Sequence, residues 1–311
     1  MSVHFLKKIL CKIPGVQKSY RFIRATLRIN PFNVFLQHVP PGHYYSPIPD
    51  LKYIKKNRQT IFTPGITRVP GIDMDIGHQI HMIKEFAAFT PEMPFNTKTQ
   101  TSLRYYFGNV FFNYGSAVVL YALMRYFRPK QIIEIGSGFS SAVMLDVNDL
   151  FFDQNINLIF VDPFPERLMT LMTDKDKKKH TVIDQIVQRC PTEMFERLSE
   201  NDILFIDSSH VAKTGSDVVF ILTYILPLVR KGVIIHFHDI FWPFEYPENW
   251  VLSGKAWNEA YVIKSFLQFN NAFKIELFNS YLAIHQPDLM KQHLPLFMKD
   301  PGSSLYIKKV I

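Results

Sequence analysis

Cysteine is scarce in this chain, with Cys11 and Cys190 the only two among 311 residues, so neither a disulfide framework nor a cysteine metal cluster is expected. A reducing, cytoplasmic setting follows. Long apolar runs are missing too. The longest, residues 218–229, has twelve residues and is broken near its end by Pro227, whereas a bilayer-spanning helix needs roughly 20. The opening MSVHFLKKILCKIPGV places lysines inside its short apolar segment and offers no small-residue cleavage site, which argues against a secretory signal. Internal repeats and low-complexity tracts are also lacking. What remains is a globular chain, 47% apolar, long enough for one α/β domain of about 200 residues plus an extension.

One absence is local. Residues 1–49 contain no Asp or Glu, while Lys7, Lys8, Lys12, Lys18, Arg21, Arg24 and Arg28 supply seven positive charges. The net charge is +8, so the rest of the chain is nearly neutral and no nucleic-acid partner is expected. Phe5, Leu6, Ile9, Leu10 and Ile13 fall on one side of a helix whose other side carries the lysines. Residues 1–30 therefore read either as a peripheral contact with an anionic membrane, at its inner surface, or as an arm packed on its own domain.

Pro-rich turns, PPGHYYSPIPD at 40–50, and a helix over 76–89 follow, giving a basic arm and Pro-rich extension over 1–99. From residue 100 onward strands and helices alternate. A helix over 115–126 leads into a strand at 131–135, with further strands at 158–161, 181–186, 203–206, 233–237, 273–283 and 304–310. Such alternation predicts a doubly wound α/β sheet that takes its ligands at the carboxyl ends of the strands.

The run QIIEIGSGFSSAVML at 131–145 is a buried strand, a glycine-rich turn and a helix start. Gly136 and Gly138 allow a ligand close to the backbone, and Ser137, Ser140 and Ser141 stand where the helix exposes unpaired N–H groups. The dinucleotide fingerprint G-x-G-x-x-G wants glycine at 141 and places no acid at 134, whereas this chain has Ser141 and Glu134. E-x-G-x-G suits a cationic, phosphate-free ligand, and the sulfonium and amino group of S-adenosylmethionine fit that description. Asp162 ends the second strand 24 residues beyond Gly138, where an acid accepts ribose hydroxyls or opens a turn with Pro163. Gln188 is placed by position to touch adenine.

Two later strands also end in polar groups. Asp207 and His210 follow ILFI, and His238 and Asp239 follow IIHF. Asp207, His238 and Asp239 form a candidate O/N set for Mg²⁺ or Mn²⁺, or else a hydrogen-bonded rim. His210, with an ordinary pKa of about 6.5, is the candidate general base, or a turn residue. Asp207 is assigned beside it to catalysis. His236 reads as a core histidine. The stretch FWPFEYPENWVLSGKAW holds all three tryptophans, and Trp242, Tyr246, Trp250 and Trp257 form a sugar-stacking acceptor site, with Glu245, Glu248, Asn249, Asn258 and Glu259 as polar partners, or bury one another.

On these segments, IIEIGSGFSS, FVDPFPE, DILFIDSSH and GVIIHFHDIFWPFEYPENW, the chain resembles the class I S-adenosylmethionine-dependent methyltransferases over about residues 100–311. Asp207-x-x-His210 with a later pair is similar to bacterial metal-dependent sugar O-methyltransferases, although His238 stands where that pair usually begins with Glu. The resemblance implies a Rossmann-like seven-stranded sheet with its last strand antiparallel, behind an N-terminal helical or irregular extension. It also implies a small-molecule or glycan acceptor, methylated on a hydroxyl. A nicotinamide-dependent sugar oxidoreductase and a non-catalytic carbohydrate-binding protein of the same fold are the alternatives. The sequence leaves the oligomeric state open.

Overall fold

The computed structural model describes residues 38–311, so the basic arm, its membrane reading and Cys11 lie outside the described residues. The chain divides into units of residues 1–57 and 58–311. In the first, Gly42 N–H closes a turn onto the Ile48 carbonyl, and Asp50 caps α1 (Leu51–Lys56) by accepting from Lys52 N–H.

The second unit is built on seven strands: β1 (Gln131–Ile135), β2 (Asn157–Val161), β3 (Thr181–Ile183), β4 (Ile203–Ile206), β5 (Ile234–Phe237), β6 (Phe273–Phe278) and β7 (Leu305–Lys309). Their order across the sheet is β3-β2-β1-β4-β5-β7-β6. The first five pair in parallel, and β7 runs antiparallel between β5 and β6. This is the doubly wound sheet that the alternation predicts, with the seven strands and reversed last strand that the resemblance implies.

The central strands ILFI and IIHF are buried at every residue, as expected where helices cover both faces. α2 (Ile76–Ala87) packs against both α3 (Tyr114–Phe127) and β6, and α3 against α4 (Phe139–Phe151). Residues 58–99 thus belong with the sheet unit. The predicted strand over 273–283 ends at Phe278, and α6 (Asn279–His285) takes over. The reason is tertiary: Asn279 N–H donates to the Ser304 carbonyl and its side-chain amide to that of Pro301, which bends the chain off the sheet. An apolar run of this length is ambiguous between strand and helix until such partners exist.

An ion-pair network ties the loop before α3 to the sheet unit. Arg104 reaches Asp146 at 2.7 Å, Asp149 at 2.8 Å and Asp176 at 2.8 Å, with Asp146 and Asp176 both buried. The two buried acids respond differently. Burial pushes Asp146 up despite its bonds, whereas for Asp176 the bonds from Arg104 and Thr173 outweigh burial and hold it down.

Candidate active site

Register builds the site. Ile135 pairs with Val161 on one side and Ile206 on the other, and Ile206 with Phe237. The next residue of each strand is therefore Gly136, Asp162, Asp207 or His238, four neighbours along one rim. Backbone bonds continue the ladder there, from Gly136 N–H to Val161 O, Asp207 N–H to Ile135 O and His238 N–H to Ile206 O. Polar residues fall here because the strand interiors are sealed and only the carboxyl ends reach water.

A cleft of about 560 Å³ opens at this rim, lined by Gly136, Ser137, Asp162, Gln188, Asp207 and Lys213 among others. That volume lies within the roughly 300–1,000 Å³ of small-molecule sites. Gln188 donates to the Gly215 carbonyl at 2.8 Å, and its buried Oε1 has no partner among the described residues, which leaves an acceptor for an amine. Asp162 is more occupied than the sequence implies. It accepts from Ser137 N–H, Ser137 Oγ and Phe164 N–H, each at 2.8 Å, which takes three of its roughly four acceptor positions. Asp162 thus shapes the turn, and one of its acceptor positions is left open.

Four of the predicted cofactor residues stand off the cleft. Glu134 is fully buried and accepts from the Ser140 and Ser141 hydroxyls, while Ser141 Oγ accepts from Gly138 N–H at 2.9 Å. These residues fasten β1 to the start of α4. Burial pushes the Glu134 carboxyl up to about 8, only partly offset by the serine hydrogen bonds. Gly136 is required by packing: φ is +81°, and a Cβ would stand 2.0 Å from the Asp207 carbonyl oxygen. Gly138 would meet only the flexible Arg167 side chain, at 3.3 Å, so its freedom is less needed.

Asp207, His210, His238 and Asp239 do come together. His210 Nε2 lies 3.5 Å from Asp207 and 3.7 Å from Asp239, and His238 Nδ1 lies 3.6 and 3.5 Å from the same two carboxylates. On its other side His210 Nδ1 donates to Glu259 Oε2 at 2.8 Å, and Ser208 Oγ donates to the same oxygen at 2.9 Å. Burial alone would lower the His210 pKa, but Asp207 and Glu259 outweigh it and push it up to about 10. His238 is likewise raised by Asp207 and Asp239 against its burial. His210 is therefore an imidazolium at neutral pH, and the expected base of pKa about 6.5 is corrected to a much stronger one.

The same charges bear on the expected metal. Among the described residues no group of three or more His, Cys, Asp or Glu is arranged to hold an ion. His210 turns Nδ1 to Glu259 and is held protonated, so it offers no lone pair to an ion. The donor set as folded does not fit Mg²⁺ or Mn²⁺. His236 is a core residue, stacked 3.7 Å from Phe205 and bonded to Ser304 Oγ at 3.0 Å.

A second cleft of about 560 Å³ has His238 and Asp239 in its walls, together with Phe111, Asn113, Trp250, Lys255, Ser280 and Ser303. The expected acceptor aromatics divide. Trp250 lines this cleft, with Lys255 Nζ 3.5 Å over its ring, and Trp257 lies 4.3 Å from the His210 imidazole. Trp242 is buried, donates to the Ile66 carbonyl at 2.7 Å and packs on Phe278 and Tyr281. Tyr246 is buried too, its hydroxyl accepting from Ala260 N–H. Neither lines the second cleft: both anchor the loop and border a separate, smaller pocket of about 240 Å³ with Ile61, Phe62 and Pro243. Among the polar partners, Glu248 pairs with Arg58, Glu245 accepts from Tyr261, and Asn258 bonds Ala212 through both side-chain atoms. The role of Glu259 against His210 was not legible in sequence, since 49 residues separate them. Its one signal is its place at the start of α5 (Glu259–Leu267), where acids are favoured.

A family model described as a methyltransferase domain matches residues 133–240. An uncharacterized protein of Archaeoglobus fulgidus is 31% identical over 169 residues, covering 53% of this chain and 75% of that one. Among solved structures, S-adenosylhomocysteine-bound methyltransferase PaMTH1 of Podospora anserina aligns at TM-score 0.42 and 13% identity, over 88% of this chain and all of that one. A CmcI structure with S-adenosylhomocysteine aligns at TM-score 0.32 and 14% identity, over 43% of this chain. This chain spans 64% of that CmcI chain, just under two thirds of its length.

Proposed function

The chain belongs to the class I S-adenosylmethionine-dependent methyltransferase family, and we propose that it methylates a hydroxyl of a sugar-like acceptor. The observation that carries this reading is the position of Asp207. It lines the first cleft, while its Oδ1 lies 3.6 Å from His238 in the wall of the second. Transfer to oxygen needs the acceptor atom in line with the methyl carbon and the leaving sulfur, and two clefts whose walls approach to 3.6 Å at Asp207 and His238 suit that requirement.

Bound S-adenosylmethionine supplies an electrophilic methyl carbon on a positively charged sulfur. Gln188 Oε1 would accept from the adenine amine, and the remaining position on Asp162 would accept from a ribose hydroxyl. At the junction, His210 in its neutral form takes the proton of the acceptor hydroxyl on Nε2, the nitrogen turned toward Asp207 and Asp239. Glu259 fixes the tautomer by accepting from Nδ1. Trp250 offers a flat apolar wall to the C–H face of a sugar ring, with Ser280 and Ser303 beside it for hydroxyls.

Ser141 argues against a dinucleotide, because the position that a third glycine would fill is buried and committed to Glu134 and Gly138. Calorimetry tests the proposal. S-adenosylhomocysteine is expected to bind and NAD not to; tighter binding of NAD would overturn it.

A further inference from the structure

The second cleft is polar at depth and apolar at its mouth. Its inner wall is made by His238, Asp239, Ser280 and Ser303, of which His238, Ser280 and Ser303 are each less than a tenth exposed. At the lip stand Val110, 84% exposed, Ile284, 55%, and Phe111, 52%. Trp250 and Phe241 continue this apolar surface inward. Phe111 is held in place, stacked on Phe139 at 5.9 Å and covered by the Arg167 guanidinium at 3.7 Å.

Three large apolar side chains facing water around one opening run against the usual arrangement, in which polar groups take the rim. Scattered singly such residues need no explanation, but gathered at the mouth of a ligand cleft they mark a surface that is covered when the ligand is present. The depth gradient fixes which part of the ligand covers it. In the inner wall His238 lies 3.6 Å from Asp207 of the first cleft, so the reacting hydroxyl enters first and what trails behind lies across Val110, Phe111 and Ile284.

We propose that the acceptor is an amphiphile, a hydroxylated head group carried on an aliphatic tail, with the tail lying across the lip formed by Val110, Phe111 and Ile284. This rests on the reading of the second cleft as the acceptor site. A tail there removes apolar surface from water on both partners, and for a fully buried chain the gain is about fourfold in affinity per methylene. Half-covered on an open lip, the expected gain is about twofold per methylene.

The test uses n-alkyl β-glucosides from methyl to octyl, below their micelle concentrations, titrated into the full-length protein saturated with S-adenosylhomocysteine. Tryptophan fluorescence reports binding, since Trp250 lines the cleft. Affinity is expected to rise about twofold with each added methylene. In the double variant Val110→Ser, Ile284→Ser the dependence on chain length should flatten, with methyl glucoside binding and S-adenosylhomocysteine affinity unchanged. Both residues are exposed, so the variant keeps its core. Affinity independent of chain length, or no binding of octyl glucoside, overturns the proposal. So does a gradient that survives the double variant. Failure of S-adenosylhomocysteine itself to bind would instead strike the cofactor reading, and the two failures are read separately.

Discussion

His210 sits at φ +60° with one ring nitrogen on Glu259 and the other facing Asp207 and Asp239. Its neutral form is scarce at pH 7, because the folded-state pKa is about 10. Below that value the neutral fraction grows about tenfold for each unit by which the pH rises. Turnover at saturating cofactor should therefore climb from pH 7 toward pH 10 and then level off, and His210→Ala should abolish it without weakening S-adenosylhomocysteine binding. A profile already flat above pH 7.5 would assign the proton to another group.

Glu134 titrates in the opposite sense for stability. Its folded-state pKa is about 8, against 4.5 for the ordinary carboxyl. Between those values the folded protein keeps a proton that the unfolded chain has released, so its contribution falls as pH rises and is fully lost above about 8. The slope approaches about 1.4 kcal/mol per pH unit. Urea unfolding of the wild type and Glu134→Gln at pH 5, 6, 7 and 8 checks this. The difference between them should change with pH in that direction, since Gln cannot ionise.

At the scale of the element, the turn between β1 and α4 decides most. Gly136 packs its Cα against the Asp207 carbonyl, where a Cβ would sit 2.0 Å away in a left-handed backbone. Both β1 and β4 would have to move. Gly136→Ala should lower stability by several kcal/mol and abolish S-adenosylhomocysteine binding. Gly138→Ala, meeting only Arg167, should change the melting temperature little, and equal damage from both would mean that the turn is not held by the β1–β4 rim. Sequence foresaw this element as a unit. It did not foresee that Glu134, Ser140 and Ser141 bond one another, since a serine at a helix start serves a ligand or a neighbouring carboxylate equally well.

For the whole molecule, charge is divided along the chain, with seven basic residues and no acid in 1–49. No helix among the described residues is long and apolar enough to cross a membrane. The wild type should co-sediment with anionic vesicles, release as salt shortens the screening length, and ignore neutral vesicles. A form lacking residues 1–30 should stay in the supernatant and still bind S-adenosylhomocysteine. Equal behaviour of the two forms would assign the arm to packing on its own domain.

By itself the sequence determined the order of strands and helices, the reversed last strand through its family resemblance, and the polar residues at the strand ends. It could do so because burial writes its signal locally: ILFI is apolar throughout and IIHF is so except for His236, and Asp207 and His238 follow them directly. Only the tertiary structure decided which of these groups face a cleft. Trp242 and Trp250 are alike in sequence, but one bonds the Ile66 carbonyl in the core and the other lines the second cleft. His210 became a charged ring because Asp207 and, 49 residues away, Glu259 were folded against it. Identity of a side chain is local, whereas its protonation and its exposure depend on neighbours that only the packed chain supplies.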